Sequence, residues 1–194
     1  MTGFARHRKS GLVIANFTGF EAELLRSLAS QMVELLRNEE AAPKQGGDPL
    51  EALMDFSGPT TEPEDPVLAR LFPSAYLDDV EAAGDFRRFT EGTLRDSKAT
   101  AAGQIIDDLD EAGLPDDVID ETLHIDVELA EPAAERWLRG FTDIRLALAT
   151  RLGIEDGDEE RWYALPDDDP MAQAHDIYEW VGYLQETLVG ALVE

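Results

Sequence analysis

The chain has 194 residues, 43% of them hydrophobic, and carries 42 acidic against 16 basic side chains, a formal net charge of −26. This length suffices for one core, so residues 1–194 are predicted to form a single domain, while the charge disfavours nucleic acid and anionic membranes as partners and favours basic proteins. The lack of cysteine in these residues excludes disulfides, thiolate nucleophiles and cysteine-ligated metal sites.

Residues 3–17 are predicted to form a β-hairpin. The run 12–17 is rich in β-branched and aromatic residues, and Gly11 before it suits a turn in which φ is positive. Thr18 and Glu21 then have the spacing of a capping box, in which a hydroxyl and a carboxylate bond reciprocally to backbone N–H groups. We therefore expect a helix to begin here, and its leucines recur at helical spacing.

Residues 38–66 differ in character from the rest of the chain. Five prolines, three glycines and scattered acidic residues predict an acidic, linker-like segment within the domain, and we expect at least part of it to be mobile. Residues 49–54 favour a short helix inside this segment. A second short helix is expected from Pro66 to Phe72, where Pro73 ends it.

A long helix is expected to begin after Asp78 or Asp79, either of which could cap it, and to continue to Leu109. Gly92 and Gly103 each weaken such a helix by about 1 kcal/mol relative to alanine, so we expect a break near one of them. One face of this helix carries small side chains, which would allow another helix to approach closely. These small residues are Thr90, Thr93, Ser97, Thr100 and Ala101.

Residues 115–123 favour a short helix, and residues 123–129 alternate between apolar and polar side chains. A period of two predicts a half-buried strand. This strand is expected to join the N-terminal hairpin, because a third strand stabilises a hairpin that is marginal alone. The predicted fold class is therefore α+β, mainly α: a helical domain with a small antiparallel β-sheet made of the N-terminal hairpin and one later strand.

Residues 131–153 predict the central helix. Pro132 suits its first turn, and Gly153 suits the left-handed position after its last turn. An apolar stripe that includes Trp137 and Phe141 runs along one face. The residues assigned to the opposite, solvent-facing side are Arg136, Arg139, Asp143 and Thr150.

Arg145 lies near the middle of the apolar stripe of the central helix. A guanidinium that faces a core must be paired or fully hydrogen-bonded. Two interpretations remain open: an internal clamp on a carboxylate or on helix-end carbonyls, and an arginine that lines a recognition pocket. After an acidic loop over residues 155–169, Asp169 and Pro170 open the last helix, whose apolar residues again have helical spacing.

The sequence contains no recognisable catalytic, cofactor-binding or metal-binding motif. The acidic runs near residues 156–160 and 167–169 lack the spacing of an EF-hand, and His7, His124 and His175 lack metal-ligand spacing. We therefore predict a protein that is not an enzyme and has no cofactor. No apolar run is long enough to span a membrane and the N-terminus does not resemble a signal peptide, so we predict a cytoplasmic protein.

Basic residues are scarce, and half of the 16 lie in two predicted helices. If these helices are neighbours, their cations form a candidate interaction or anion-binding surface. Internal salt bridging is the alternative, and exposed pairs contribute only ~0–1 kcal/mol each. The eight candidates are Arg87, Arg88, Arg95, Lys98, Arg136, Arg139, Arg145 and Arg151.

Three stretches of the chain resemble an actinomycete-specific family of oxidative stress regulators, the AosR-like family, long known only as a domain of unknown function. The resemblance extends over nearly the whole chain, from the hairpin to the last helix. The stretches that carry it are Phe86-Arg87-Arg88-Phe89-Thr90-Glu91 with Leu94-Arg95-Asp96-Ser97-Lys98, the central helix from Trp137 to Gly153, and Tyr178-Glu179-Trp180-Val181-Gly182-Tyr183-Leu184-Gln185-Glu186.

The resemblance implies a cytoplasmic transcriptional regulator that responds to oxidants, works with an alternative sigma factor and raises the expression of cysteine-biosynthesis genes. Two features of this sequence limit the transfer. A cysteine-pair sensor is excluded, which leaves oxidation of Met32, Met54 or Met171 as side-chain redox chemistry. Direct promoter binding conflicts with the net charge of −26.

Three function classes therefore stay open. The first is a regulator that binds a protein of the transcription machinery, a sigma factor or RNA polymerase, through its acidic surface. The second is a direct DNA-binding regulator that uses the arginine and lysine surface of the two helices. The third is a small-molecule sensor with a pocket near Arg145. A homodimer is also open, because the small-residue face and the apolar C-terminal residues 188–193 would each serve one.

Overall fold

The structure, a computed structural model, describes residues 3–38, 59–116, 122–166 and 168–193. The helix predicted over residues 49–54 lies outside the described residues, as do most of segment 38–66 and the middle of the helix predicted over 115–123. The described elements, in chain order, are β1 (Ala5–Arg6), β2 (Val13–Thr18), α1 (Gly19–Asn38), α2 (Pro66–Leu71), α3 (Val80–Glu111), β3 (His124–Leu129), α4 (Glu131–Leu152), α5 (Glu159–Tyr163) and α6 (Pro170–Val193).

The three strands form one antiparallel sheet in the order β1-β2-β3. Ala5 lies opposite Ile14, and β3 pairs with the whole of β2, from Val13 opposite Leu129 to Thr18 opposite His124. Alternate side chains of β2 and β3 are buried, as the period of two requires. The mainly helical α+β class and the three-stranded sheet are confirmed.

The capping box at the start of α1 is confirmed. The Thr18 hydroxyl accepts a hydrogen bond from the Glu21 backbone N–H at 3.2 Å, and the Glu21 carboxylate accepts one from the Thr18 N–H at 2.9 Å. These bonds satisfy two donors that the first turn of a helix otherwise leaves free. The sheet therefore passes directly into α1, whose buried face includes Leu25 and Leu36.

Helix α3 is continuous over 32 residues, so the break expected near Gly92 or Gly103 is wrong. Both glycines face open space, with nothing within 4 Å of the position that a Cβ would occupy. The opposite face of α3 is buried along most of its length. Its buried side chains are mainly charged in the first half of the helix and apolar in the second half. Packing on both halves outweighs the modest propensity cost of two glycines.

The close helix approach occurs at Gly140 of α4. A Cβ there would lie 2.7 Å from the Ile105 Cδ1 atom and 3.4 Å from the Ala101 carbonyl oxygen. Of the small-residue face predicted on α3, only Ala101 is buried, whereas Thr93 and Thr100 are exposed. The predicted approach therefore takes place at the edge of that face and leaves most of it open to solvent.

The core is centred on α4. The fully buried rings of Trp137 and Phe141 are 5.7 Å apart, and Phe4 lies 5.7 Å from Trp137. Gly153 ends α4 in the left-handed conformation with φ of 66°, as predicted. Helix α6 packs along α4. No helix among the described residues is long and apolar enough to cross a membrane.

Candidate functional site

Two of the candidate interaction residues and one acidic neighbour form a buried arrangement on α3, which we call the charge cluster: Arg87, Glu91 and Arg95. The Arg87 Nη1 atom donates to Glu91 Oε2 at 2.7 Å, and Arg95 donates from Nε and Nη2 to Glu91 Oε1 at 3.0 and 2.7 Å. The exposed fraction is 2% for Glu91, 7% for Arg87 and 6% for Arg95. Two guanidinium groups thus share one carboxylate, which gives the cluster a net charge of +1.

The remaining donors of the charge cluster join α3 to the ends of two other helices. Arg87 donates to the Phe72 carbonyl at 3.1 Å, and Arg95 donates to the Leu36 carbonyl at 3.3 Å. The Arg95 guanidinium also lies 4.7 Å from the centroid of the Phe72 ring, a cation–π contact. Because Leu36 lies near the end of α1 and Phe72 ends α2, the cluster stabilises helix C-termini, where cations are favourable.

Lys98 lies one turn beyond the charge cluster and pairs with α4. Its Nζ atom is 2.6 Å from Asp143 Oδ1. Asp143 is only 5% exposed, so its assignment to the solvent side of α4 is wrong: α3 covers this flank of the helix as well. Burial raises the pKa of Asp143, and the neighbouring Lys98 ammonium opposes that rise.

The α4 arginines outside the core each have a polar partner, which lies on α4 only for Arg139. Arg136 donates to Gln104 at 3.1 Å, and Arg139 pairs with Glu135 at 3.3 Å on the exposed surface. Arg151 pairs with Asp65 at 2.7 Å. Burial alone would raise the pKa of Asp65, but the Arg151 bond and the N–H groups at the start of α2 together hold it below its usual range.

Arg145 makes no clamp on a carboxylate or on helix-end carbonyls among the described residues; it lines an open surface depression, and a role of that depression in recognition stays a prediction. The Arg145 guanidinium lies flat on Gly182 of α6 and 4.8 Å from the Tyr178 ring centroid. It donates to the Gln185 side-chain oxygen at 3.0 Å and to the Tyr178 hydroxyl at 3.1 Å, and the buried Nε atom has no acceptor among the described residues. Arg145 is therefore a partly buried cation whose hydrogen-bond partners are neutral.

Several surface cavities adjoin these residues, and two of them bear on the predicted functions. An open depression of about 500 Å³ beside Arg145 is flanked by Glu179 and Glu186, whose carboxylates disfavour an anionic ligand. A second groove, of about 370 Å³, lies between α1 and α4 and is mainly apolar, with Met32 in its lining. Met32 is 4% exposed, whereas Met171 is 41% exposed. Met54, the third methionine considered for oxidation, lies outside the described residues.

Arg88 is an exposed candidate on the first half of α3, and it adjoins a group of exposed apolar side chains. We call this group the aromatic patch: Tyr76, Leu77, Phe86 and Phe89, whose exposed fractions are 49%, 88%, 46% and 63%. The Tyr76 and Phe86 rings meet edge to face with centroids 6.1 Å apart, and the Arg88 guanidinium lies 5.2 Å from the Phe89 ring centroid. Phe86 and Phe89 lie on the side of α3 opposite the charge cluster, and Tyr76 and Leu77 lie in the segment before α3.

Within the described residues, no group of three or more histidine, aspartate or glutamate side chains could hold a metal ion. The three histidines lie in separate places. His7 bonds to Ser10, His124 bonds to Asn16, and His175 stacks on Trp162 with ring centroids 4.7 Å apart.

Sequence reasoning missed Glu91, Asp143 and the aromatic patch. Glu91 had a detectable signal, because it lies four residues after Arg87 and four before Arg95, a spacing that places all three side chains on one helix face. Phe86 and Phe89 of the patch could then have been found on the opposite face of the helix. Asp143 had no signal, since its burial depends on where α3 lies.

Comparison with known proteins gives a family match and several relatives. A family model described as Domain of unknown function (DUF2017) matches residues 1–192. Proteins named oxidative stress regulator AosR from Mycobacterium tuberculosis and Mycobacterium bovis are 33% identical over 187 residues, covering 89% of this chain and 78% of theirs. A relative from Mycobacterium leprae is 32% identical over 189 residues, covering 89% and 79%. No solved structure matches the chain.

Proposed function

Because the chain belongs to the DUF2017 family and is AosR-like along most of its length, we propose that it regulates the oxidative stress response. The observation that carries the proposal is its identity to relatives named oxidative stress regulators, which extends over both proteins and not over one motif. We further propose that it acts on transcription, in the cytoplasm, by binding a protein of the transcription machinery such as a sigma factor or RNA polymerase.

The distribution of charge supports a protein partner over DNA. Several candidate cations have internal partners: Arg87 and Arg95 in the charge cluster, Lys98 on Asp143, and Arg151 on Asp65. DNA binding depends on cations that are free to neutralise phosphates, and each one used in an internal pair weakens that attraction. The surplus of acidic groups is suited to a basic protein surface, to which it would also speed association.

The lack of cysteine constrains how this regulator would detect oxidants. Thiol oxidation inside these residues is excluded. The oxidant signal therefore reaches the protein through its partner, or through another side chain such as the exposed Met171. We propose the partner route, because it requires no redox chemistry from this chain.

The proposed function is tested by removing the gene from its native cells and measuring transcription before and after peroxide. We expect a reduced induction of oxidative-stress genes, restored by the wild-type gene. Unchanged induction without the gene would refute the regulatory function. Capture of the tagged protein with and without peroxide, followed by identification of sigma factors and polymerase subunits, tests the proposed mechanism.

Direct DNA binding remains the alternative, and a separate measurement distinguishes it. Binding of the purified protein to labelled promoter DNA should be absent at physiological salt. Binding that falls steeply with salt and disappears on charge reversal at the exposed Arg88 and Arg139 would favour the DNA-binding alternative. Charge reversal at these two positions leaves the buried charge cluster intact, so the change would report binding and not unfolding.

A further inference from the structure

The aromatic patch is apolar surface that the fold does not bury. Tyr76 and Phe86 are in ring contact, Leu77 adjoins Tyr76 in the chain, and Phe89 lies one turn beyond Phe86 on α3. Helix α3 is anchored from its opposite face by the charge cluster, so these side chains contribute little to holding it. Adjoining large apolar side chains that remain exposed mark interaction sites more often than chance exposure does.

Acidic residues lie next to members of the aromatic patch in the chain, two directly after Leu77 and one directly before Phe86. Asp78, Asp79, Glu81 and Asp85 are all exposed, and none of the four makes an ion pair within the residues that the structure describes. Asp79 has a local role, since its carboxylate accepts from the Ala82 N–H at 3.0 Å and caps α3. Arg88 is the exposed cation of this stretch, and it stacks on Phe89. The rim of the patch is therefore negative.

The charge of the rim selects among the surfaces that could cover the patch. A second copy of this chain would place four acidic groups against four of the same sign, and nucleic acid or an anionic membrane would be repelled likewise. A protein segment with apolar anchors and flanking lysines or arginines would bury the aromatic rings and neutralise the rim at once. Interfaces of this kind, with aromatic residues at the centre and charges around them, concentrate their binding energy in the central anchors.

We propose that the aromatic patch is the docking site for a basic, amphipathic segment of a partner protein. The inference rests on the proposed function, since this contact would be the one through which the regulator engages its partner. The central anchors are Phe86 and Phe89, and the acidic residues of the rim steer the approach and set the sensitivity to salt.

Two synthetic peptides test the chemistry of the occupant directly. Both are helices of about five turns with the same leucine face. The polar face carries lysine in the first peptide and glutamate in the second. Backbone amide NMR should show shifts confined to residues 76–89 and the adjoining turns with the lysine peptide, and none with the glutamate peptide. The double substitution Phe86→Ser/Phe89→Ser should weaken the lysine peptide by roughly tenfold or more.

Matched substitutions separate docking from general attraction to an acidic protein. Phe20→Ser and Tyr163→Ser remove aromatic rings that are 75% and 81% exposed elsewhere, and they should leave peptide affinity unchanged. Equal binding of the lysine peptide to the wild type and to the Phe86→Ser/Phe89→Ser variant would overturn the proposal. Self-association that the same double substitution abolishes, seen by analytical ultracentrifugation, would also overturn it in favour of a homodimer.

A complementation test keeps the docking site separate from the proposed function. If deletion of the gene impairs peroxide-dependent transcription, the Phe86→Ser/Phe89→Ser variant should fail to restore it while the Phe20→Ser variant restores it. Full restoration by the double variant would refute the docking site and leave the regulatory function standing. If deletion has no effect, the regulatory function fails, and the peptide measurements still decide the docking chemistry.

Discussion

Replacing Glu91 by glutamine should destabilise the protein far more than its size suggests. Glu91 accepts three hydrogen bonds from Arg87 and Arg95 and is 2% exposed. Glutamine preserves the shape of the side chain but removes its charge. The substitution therefore leaves two guanidinium groups in a buried site, raising the net charge of the cluster from +1 to +2.

The expected cost follows from what happens to the unpaired cations. Removing one partner of a buried ion pair costs about 3–5 kcal/mol, because the other charge stays desolvated without compensation. Glutamine keeps one acceptor oxygen, so we expect a value near the lower limit, about 3 kcal/mol. Arg87→Met should cost less, since it leaves Glu91 and Arg95 as a neutral pair with both of their mutual hydrogen bonds intact.

Circular dichroism measured over a series of urea concentrations gives the free energy of unfolding and its dependence on denaturant. The matched control is Glu135→Gln, which removes the same charge from an exposed pair with Arg139 of the same i,i+4 spacing. We expect that control to cost less than about 1 kcal/mol. Similar losses for the two glutamine variants, or a larger loss for Arg87→Met than for Glu91→Gln, would refute the reasoning.

Three further predictions concern packing and protonation. A Cβ at Gly84 would lie 2.9 Å from a backbone carbonyl oxygen, whereas a Cβ at Gly103 would meet nothing within 4 Å. Thermal unfolding should therefore show that Gly84→Ala destabilises the protein by about 1–2 kcal/mol and that Gly103→Ala stabilises it by about 0.5–1 kcal/mol. Carboxyl NMR titration should place the pKa of Asp143 above the ordinary aspartate value, and Lys98→Met should raise this pKa further. Because the folded pKa is raised, the contribution of Asp143 to stability is present at acidic pH and is lost as pH rises through that pKa. Asp65→Ala should cost about 1–2 kcal/mol at neutral pH by removing a helix cap and an ion pair. Because the folded pKa of Asp65 is lowered, the difference in stability between this variant and the wild type should vanish as pH falls through that pKa. A difference that stays constant with pH would contradict this prediction.

The capping box and the ends of α4 show how much of the fold is local. Thr18 and Glu21 form their reciprocal bonds, and Gly153 adopts positive φ after the last turn of α4. Both features depend on residues within a few positions of one another. Their geometry is therefore decided by short-range sterics and hydrogen bonding, which a sequence displays directly.

The candidate site is less predictable, because burial of a polar side chain depends on elements that are distant in the chain. The apolar stripe of α4 alone assigns Asp143 to solvent, and Lys98, its partner from α3, lies 45 residues away. The same stripe places Arg145 correctly beside the core, but it does not identify the partners of Arg145. These are the neutral side chains of Tyr178 and Gln185, which lie on α6. A helical pattern identifies which face is apolar, and it does not reveal how many faces the neighbours cover.

The sequence by itself determined the composition-dependent properties of this protein and its regular elements: an acidic, cysteine-free chain with amphipathic helices, a small antiparallel sheet and a recognisable family resemblance. Those follow from residue type and from periodicities of two and 3.6 residues. Only the tertiary structure decided which of its few cations lie inside and which apolar side chains remain outside. Arg87 and Phe86 are consecutive in the chain, yet one is held in a buried ion pair and the other lies exposed in the aromatic patch. A turn of about 100° along the helix separates them, and the packing of α1 and of Phe72 against one side of α3 determines which is covered.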